Sequence, residues 1–239
     1  MNATHRQLEE NLAEVREAIA GACRRAGRTP DSVELIAVTK YAEWPWVEAL
    51  IDLGVNQLGE SRPQQLIERN ALLNPGQKAD WHLIGHLQRN KVRPILPLVS
   101  RIHSVDSLKL LERIDLLAAE LGLSPKGLLE VNLSREPAKD GFAPEELESA
   151  WESLRGLSHL EITGLMTMAP DTRDEGTLRG VFRELRELRD RLVQRSEGRL
   201  ELAELSMGMS GDFEIAIEEG ATHIRVGSRL FAGCQEAKL

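Results

Sequence analysis

With 239 residues, 41% of them hydrophobic and 28% charged, the chain can bury a full core and is neither disordered nor fibrous. Its net charge of −8 argues against nucleic acid or an anionic membrane surface as main partner, yet allows a small phosphorylated ligand in a local pocket. The opening MNATHRQLEEN lacks a secretory pattern, no run approaches the roughly 18–20 apolar residues of a membrane span, and the distant Cys23 and Cys234 form no metal or disulfide framework, so a cytoplasmic location is expected.

Along the chain, Leu8, Leu12, Val15, Ile19, Ala22 and Ala26 fall at steps of three and four, which predicts an amphipathic helix over 5–27 closed by Gly27. VELIAVTK follows as a strand over 33–38, apolar except for Glu34, that ends in Lys40. Further strands are predicted at 56–59, 80–84, 101–105, 127–132, 160–167, 202–206 and 223–227. Stretches with helical periodicity lie between them, among them WPWVEALIDLG, SLKLLERIDLLAAELG and LRGVFRELRELRDRLVQ. Eight strands with helical crossovers call for a parallel sheet. At this length a closed (β/α)8 TIM barrel with an extra N-terminal helix, one domain over 1–239, is the natural solution, and a doubly wound open sheet is its competitor.

In a barrel, chemistry gathers where strands end. The predicted ends carry Thr39-Lys40, Gly59-Glu60-Ser61, Gly85-His86, Asp106-Ser107, Asn132, Met166 to Met168, Ser206-Met207-Gly208 and Gly227-Ser228. The loops after strands seven and eight are rich in glycine and serine and precede helical runs, the recurrent phosphate site of such barrels. Arg225 shares the parity of Gly227 in an apolar strand, where a guanidinium needs an acceptor: a core carboxylate or a ligand. A lysine, a phosphate cradle and an inward arginine are the contacts that pyridoxal 5′-phosphate (PLP) requires: an imine, phosphate donors and a partner for the pyridine nitrogen. His82 and His86 have a metal-like separation, but no third ligand is evident nearby, and no metal is expected. RELRELRDR (183–191) reads as a solvated helix face.

The elements AVTK, GESRPQQ, WHLIGHLQRNK, EVNLSREPAKDGF, GLMTMAP, LSMGMSGDFEIAI and IRVGSRLF run in order through nearly the whole chain. Together they closely resemble the pyridoxal phosphate homeostasis protein family, whose members look like the N-terminal barrel of alanine racemase, the fold type III class of PLP proteins. The resemblance implies a Schiff base on Lys40. It places Ser206, Met207, Gly208, Ser210, Gly227 and Ser228 on the phosphate side, and Arg225 at the pyridine nitrogen. It implies a non-catalytic carrier that maintains PLP supply, with apo-enzymes as candidate recipients and a monomeric or weakly dimeric state. An arginine there, unlike a carboxylate, does not keep the ring nitrogen protonated, which disfavours demanding carbanion chemistry. The family usually has asparagine where this chain has Ser61, and Ser61-Arg62-Pro63-Gln64 reads instead as a helix capping box. Two alternatives stand beside this reading. A racemase would need a second base, but Tyr41 is expected on the opposite face from Lys40, and the chain leaves no residues for a further β domain. A metal-dependent barrel hydrolase would need a ligand set that the sequence lacks.

Overall fold

The computed structural model describes residues 3–134, 140–154, 156–196 and 201–234, so residues 135–139 of the EVNLSREPAKDGF motif lie outside the description. Leu8, Leu12, Val15 and Ile19 bury one face of α1 (Ala3–Arg25). The chain leaves this helix through Gly27 at φ 66°, with Arg28 N–H returning to Cys23 O at 2.9 Å.

The barrel then builds in strict alternation. β1 (Glu34–Val38) leads to α2 (Trp44–Asp52), β2 (Gln57–Glu60) to α3 (Pro63–Ala71), and β3 (Asp80–Leu83) to the short α4 (Val92–Ile95). β4 (Val99–Val105), α5 (Leu108–Leu121), β5 (Lys126–Glu130), α6 (Pro144–Leu154), β6 (Glu161–Met166) and α7 (Glu175–Arg195) follow. β7 (Glu204–Met209), α8 (Phe213–Glu218) and β8 (His223–Val226) complete it. Every neighbouring pair is parallel and β8 pairs with β1, with Glu34 opposite His223 and Ile36 opposite Arg225, so the sheet closes into the predicted (β/α)8 barrel. α1 packs outside it against α8 and α2.

Two chemically different spaces result. Leu58, Trp81, Leu83, Ile102, Leu129, Leu165, Leu205 and Ile224 are buried with the helices in one apolar shell. The inward side of the strands carries many polar groups beside apolar ones such as Ile36 and Leu128. Arg101 makes a paired bond to Glu204 at 2.8 and 2.6 Å, Thr163 Oγ1 donates to Glu204 at 2.7 Å, and His223 Nε2 lies 2.8 Å from Glu34. Glu34, the polar exception in VELIAV, thus belongs to the barrel floor. The charge-rich face of α7 is solvated as the sequence suggests, with Arg183, Glu187, Asp190 and Arg191 exposed, and Arg179, Arg183 and Arg186 also converge on the buried Glu219 just past α8. No helix among the described residues is long and apolar enough to cross a membrane.

Candidate functional site

β1 stops at Val38, and Ala42 N–H bonds Thr39 O at 2.8 Å, so Lys40 and Tyr41 sit in a turn where strand alternation no longer applies. Lys40 Nζ lies 5.1 Å from the Tyr41 ring centroid, and the two side chains share one exposed face, contrary to the parity expectation. The turn is held from beneath. Arg69 on α3 donates to Thr39 O at 2.7 Å, to Ala42 O and to the Glu60 carboxylate, while Thr39 Oγ1 donates to Glu60 at 2.5 Å. Glu60 is fully buried, and burial raises its pKa against the opposing pull of Thr39 and Arg69. The capping box expected at Ser61 does not form: Arg62 is the N-cap of α3, with Pro63 in the first turn and no side-chain cap bond. Ser61 instead packs against Gly85, where a Cβ would lie 2.4 Å from Ser61 O.

The loops after β7 and β8 are stapled together, with Gly227 N–H donating to Ser210 Oγ at 3.1 Å. Gly208 has φ 93°, and a Cβ there would lie 2.6 Å from Ala216 Cβ, so only glycine lets the chain turn this closely over α8. A Cβ on Gly227 would meet Val38 O at 3.1 Å, which shows how tightly the β8 exit packs on the β1 exit that leads to Lys40. The backbone N–H groups of Ser210, Gly211, Ser228 and Arg229 have no hydrogen-bond partner among the described residues. Ser228 is exposed, and Ser210 and Gly227 are half-buried, so this junction is open to solvent.

Arg225 and Ser206 lie one level down. Arg225 is 4% exposed, and its Nη1 donates to Ser206 Oγ at 2.6 Å and its Nη2 to Thr167 O at 3.0 Å. Burial lowers its pKa to about 10, opposed by Glu130 and Asp212, so it stays charged at neutral pH. Of the residues expected on the phosphate side, the structure gathers Gly208, Ser210, Gly227 and Ser228 at the loop junction. Ser206 is fully buried beneath Arg225, and the Met207 side chain packs in the apolar shell.

The far side of the mouth is acidic. Glu130 ends β5 at 5% exposure, and its pKa is raised to about 7 by burial and by Asp106 and Asp140, against the opposing Arg225 and His86. His86 Nδ1 lies 3.0 Å from Asp106 and 3.3 Å from Asp140, so carboxylates do stand beside His86 although none is near it in sequence. The three side chains bring possible ligand atoms within 4.8 Å of one another. His82 takes no part and is buried inside the barrel. The sequence reading missed Glu130, the Glu60–Arg69 pair and His103. Of these, only His103 left a signal: two inward-parity polar residues, Arg101 and His103, in one strand.

The family model described as "Alanine racemase, N-terminal domain" matches residues 6–234. A pyridoxal phosphate homeostasis protein of Aquifex aeolicus is 38% identical over 93% of this chain and 96% of its own. One from Synechocystis is 41% identical over 84% of this chain and 92% of its own. Among solved structures, PipY of Synechococcus elongatus, with PLP bound, superposes with a TM-score of 0.84 at 38% identity, covering 94% of this chain and 99% of that one.

Proposed function

The chain belongs to the pyridoxal phosphate homeostasis proteins of the alanine racemase N-terminal domain family, and we propose that it is a single-domain carrier of pyridoxal 5′-phosphate, holding it as a Schiff base on Lys40. The observation that carries this reading is the junction of the β7 and β8 loops. Four unpartnered N–H groups stand there beside the exit of β1, an arrangement suited to a phosphate dianion. Ser210, Gly211, Ser228 and Arg229 would hold the phosphate through backbone donors, with Gly208 and Gly227 providing the close approach. Arg225, charged and directed by two bonds, would meet the pyridine nitrogen. Bound PLP supplies an electrophilic aldehyde and an aromatic ring that withdraws electrons.

The same geometry supports carriage without turnover. Arg225 is a cation that offers donors only, so the ring nitrogen is not held protonated. Asp106 and Asp140 beside His86, with a Glu130 that burial keeps partly neutral, make the β3 to β5 side of the mouth poor in free positive charge for an amino-acid carboxylate. Tyr41 is 85% exposed, in water rather than in a dry site where a second base would act. The apo forms of PLP-dependent enzymes are the proposed recipients. Borohydride reduction followed by peptide mapping tests the reading: the pyridoxyl adduct is expected on Lys40, and an adduct elsewhere, or none, refutes it.

A further inference from the structure

We propose that Ser206, His103 and His82 are positioning residues for Arg225, joined in a one-way hydrogen-bond chain that crosses the barrel from its mouth to its floor. The contacts are consecutive. Arg225 Nη1 is 2.6 Å from Ser206 Oγ, Ser206 Oγ 2.8 Å from His103 Nδ1, and His103 Nε2 2.8 Å from His82 Nδ1. His82 Nε2 is 2.7 Å from Gln57 Oε1, and Gln57 Nε2 is 3.2 Å from Asp80 Oδ2. The two histidines and Ser206 are fully buried.

The direction follows from donor and acceptor chemistry: the floor imposes it, and the mouth is compatible with it. At the floor, the Asp80 carboxylate only accepts, so the Gln57 amide turns its NH₂ toward it and its oxygen toward His82. His82 therefore carries its proton on Nε2. As a neutral imidazole it then offers Nδ1 as acceptor, which requires His103 to donate from Nε2. His103 in turn accepts at Nδ1, and the only available donor is the Ser206 hydroxyl. At the mouth, a guanidinium has donors and no acceptor, so Ser206 accepts from Arg225, and its single proton stays available for His103. The direction set from the floor therefore reaches Ser206 without conflict. An imidazolium at His82 would set its Nδ1–H against the His103 Nε2–H, and one at His103 would turn the Ser206 bond around. Burial opposes that charge: it lowers the pKa of His82 to about 3 and that of His103 well below the usual range. His223 stands apart, directed at Glu34 and at Thr222 Oγ1.

The consequence is a guanidinium with a fixed heading. Two of its five donors are committed, to Ser206 and to Thr167 O, and the remainder are aimed by the chain behind them. What Arg225 faces in the mouth rests on the PLP reading above; the chain itself does not. It also gives Ser206 a task other than phosphate binding.

The test is a long-range ¹H–¹⁵N correlation of the imidazole nitrogens in the full-length protein, with and without added PLP, combined with PLP titration of Ser206→Ala and Ser206→Thr. His82 and His103 are expected as neutral Nε2–H tautomers from about pH 8 to about pH 5.5. Ser206→Ala is expected to bind PLP about tenfold more weakly and with a shifted absorbance maximum, as befits one lost bond to a charged group, and Ser206→Thr to restore both. An imidazolium or an Nδ1–H tautomer at either histidine overturns the chain. So does a Ser206→Ala protein with unchanged affinity and spectrum. Should the unsubstituted protein bind no PLP, the carrier reading falls and the imidazole spectra alone decide the chain.

Discussion

Arg69→Met tests the support beneath the lysine turn. The substitution keeps most of the side-chain volume but removes donors to Glu60, Thr39 O and Ala42 O, the last two lying on either side of Lys40-Tyr41. It leaves a fully buried carboxylate with only neutral donors, Thr39 Oγ1 and the Ser61 backbone, among the described residues. Breaking a buried ion pair from one side costs about 3–5 kcal/mol, most of it desolvation of the orphaned charge. Protonation of Glu60 offers relief, and this sets a pH signature. Burial already raises the folded-state pKa of Glu60, and loss of the Arg69 cation raises it further. A carboxyl raised in the folded state costs nothing below its unfolded pKa of about 4.3, and its cost grows with pH until the folded pKa is passed. The deficit relative to the unsubstituted protein is therefore expected to be small near pH 4 and largest near pH 8. Urea unfolding followed by tryptophan fluorescence across that range measures it, and Glu60→Gln/Arg69→Met is expected to recover much of the loss at high pH. A deficit under about 1 kcal/mol at pH 8, or one that does not change with pH, would refute the claim that this pair holds a buried charge under the turn.

Glu130→Gln should remove a pH dependence of the opposite usefulness. With a folded pKa of about 7 against an ordinary value of 4.5, Glu130 costs stability that develops as pH rises from about 4.5 to 7, approaching 3 kcal/mol by linkage, so the variant gains Tm at pH 8 and nothing at pH 4 in calorimetry. Gly208→Ala places a Cβ 2.6 Å from Ala216 at φ 93° and should cost roughly 2–4 kcal/mol in urea unfolding; a neutral result would mean the loop is not pinned on α8. Arg225→Glu should shift the absorbance of bound PLP while binding through the loop N–H groups largely survives, and an unchanged spectrum would show that Arg225 does not touch the ring.

The barrel was legible because its outward parity is mostly apolar: Leu58, Trp81, Leu83, Ile102, Leu129, Leu165, Leu205 and Ile224 face the helices, and the runs stop at turn residues. Arg225 was legible for the inverse reason, as a cation at inward parity with no partner of its own in sequence. What failed did so where the chain leaves regular structure. Tyr41 was assigned by alternation although β1 ends at Val38, three residues earlier. Ser61 was read as a cap from a four-residue pattern, but Pro63 already fixes the first turn of α3 and the cap position falls on Arg62. Glu60 and Asp106 were legible as strand-end residues, but their pairing with Arg69 and with His86 and Asp140 was not, because those partners come from other strand–helix units and no local period records that.

The polar interior follows from the same construction. A barrel in which Glu34, Arg101, Glu204 and three histidines take inward positions gives up apolar packing there and is stable only if each group finds a partner. The floor meets that demand with charge pairs, where Arg101 and Glu204 are joined twice and Glu34 meets His223. The middle meets it with neutral groups and directed hydrogen bonds, because an additional charge on His82 or His103 would face Arg225 above and Arg101 below. The mouth is left with unlike halves. N–H groups without a partner among the described residues stand over β7 and β8 with Lys40 and Arg225, where Asp212 is tied to Met209 N–H, and the carboxylates of Asp106, Glu130 and Asp140 stand on the β3 to β5 side. On the proposed reading, a dianion is expected on the lysine side of that field, and a ligand with a second anionic group is expected to be disfavoured on the carboxylate side. That would suit a carrier of a phosphorylated aldehyde better than an enzyme that acts on amino acids.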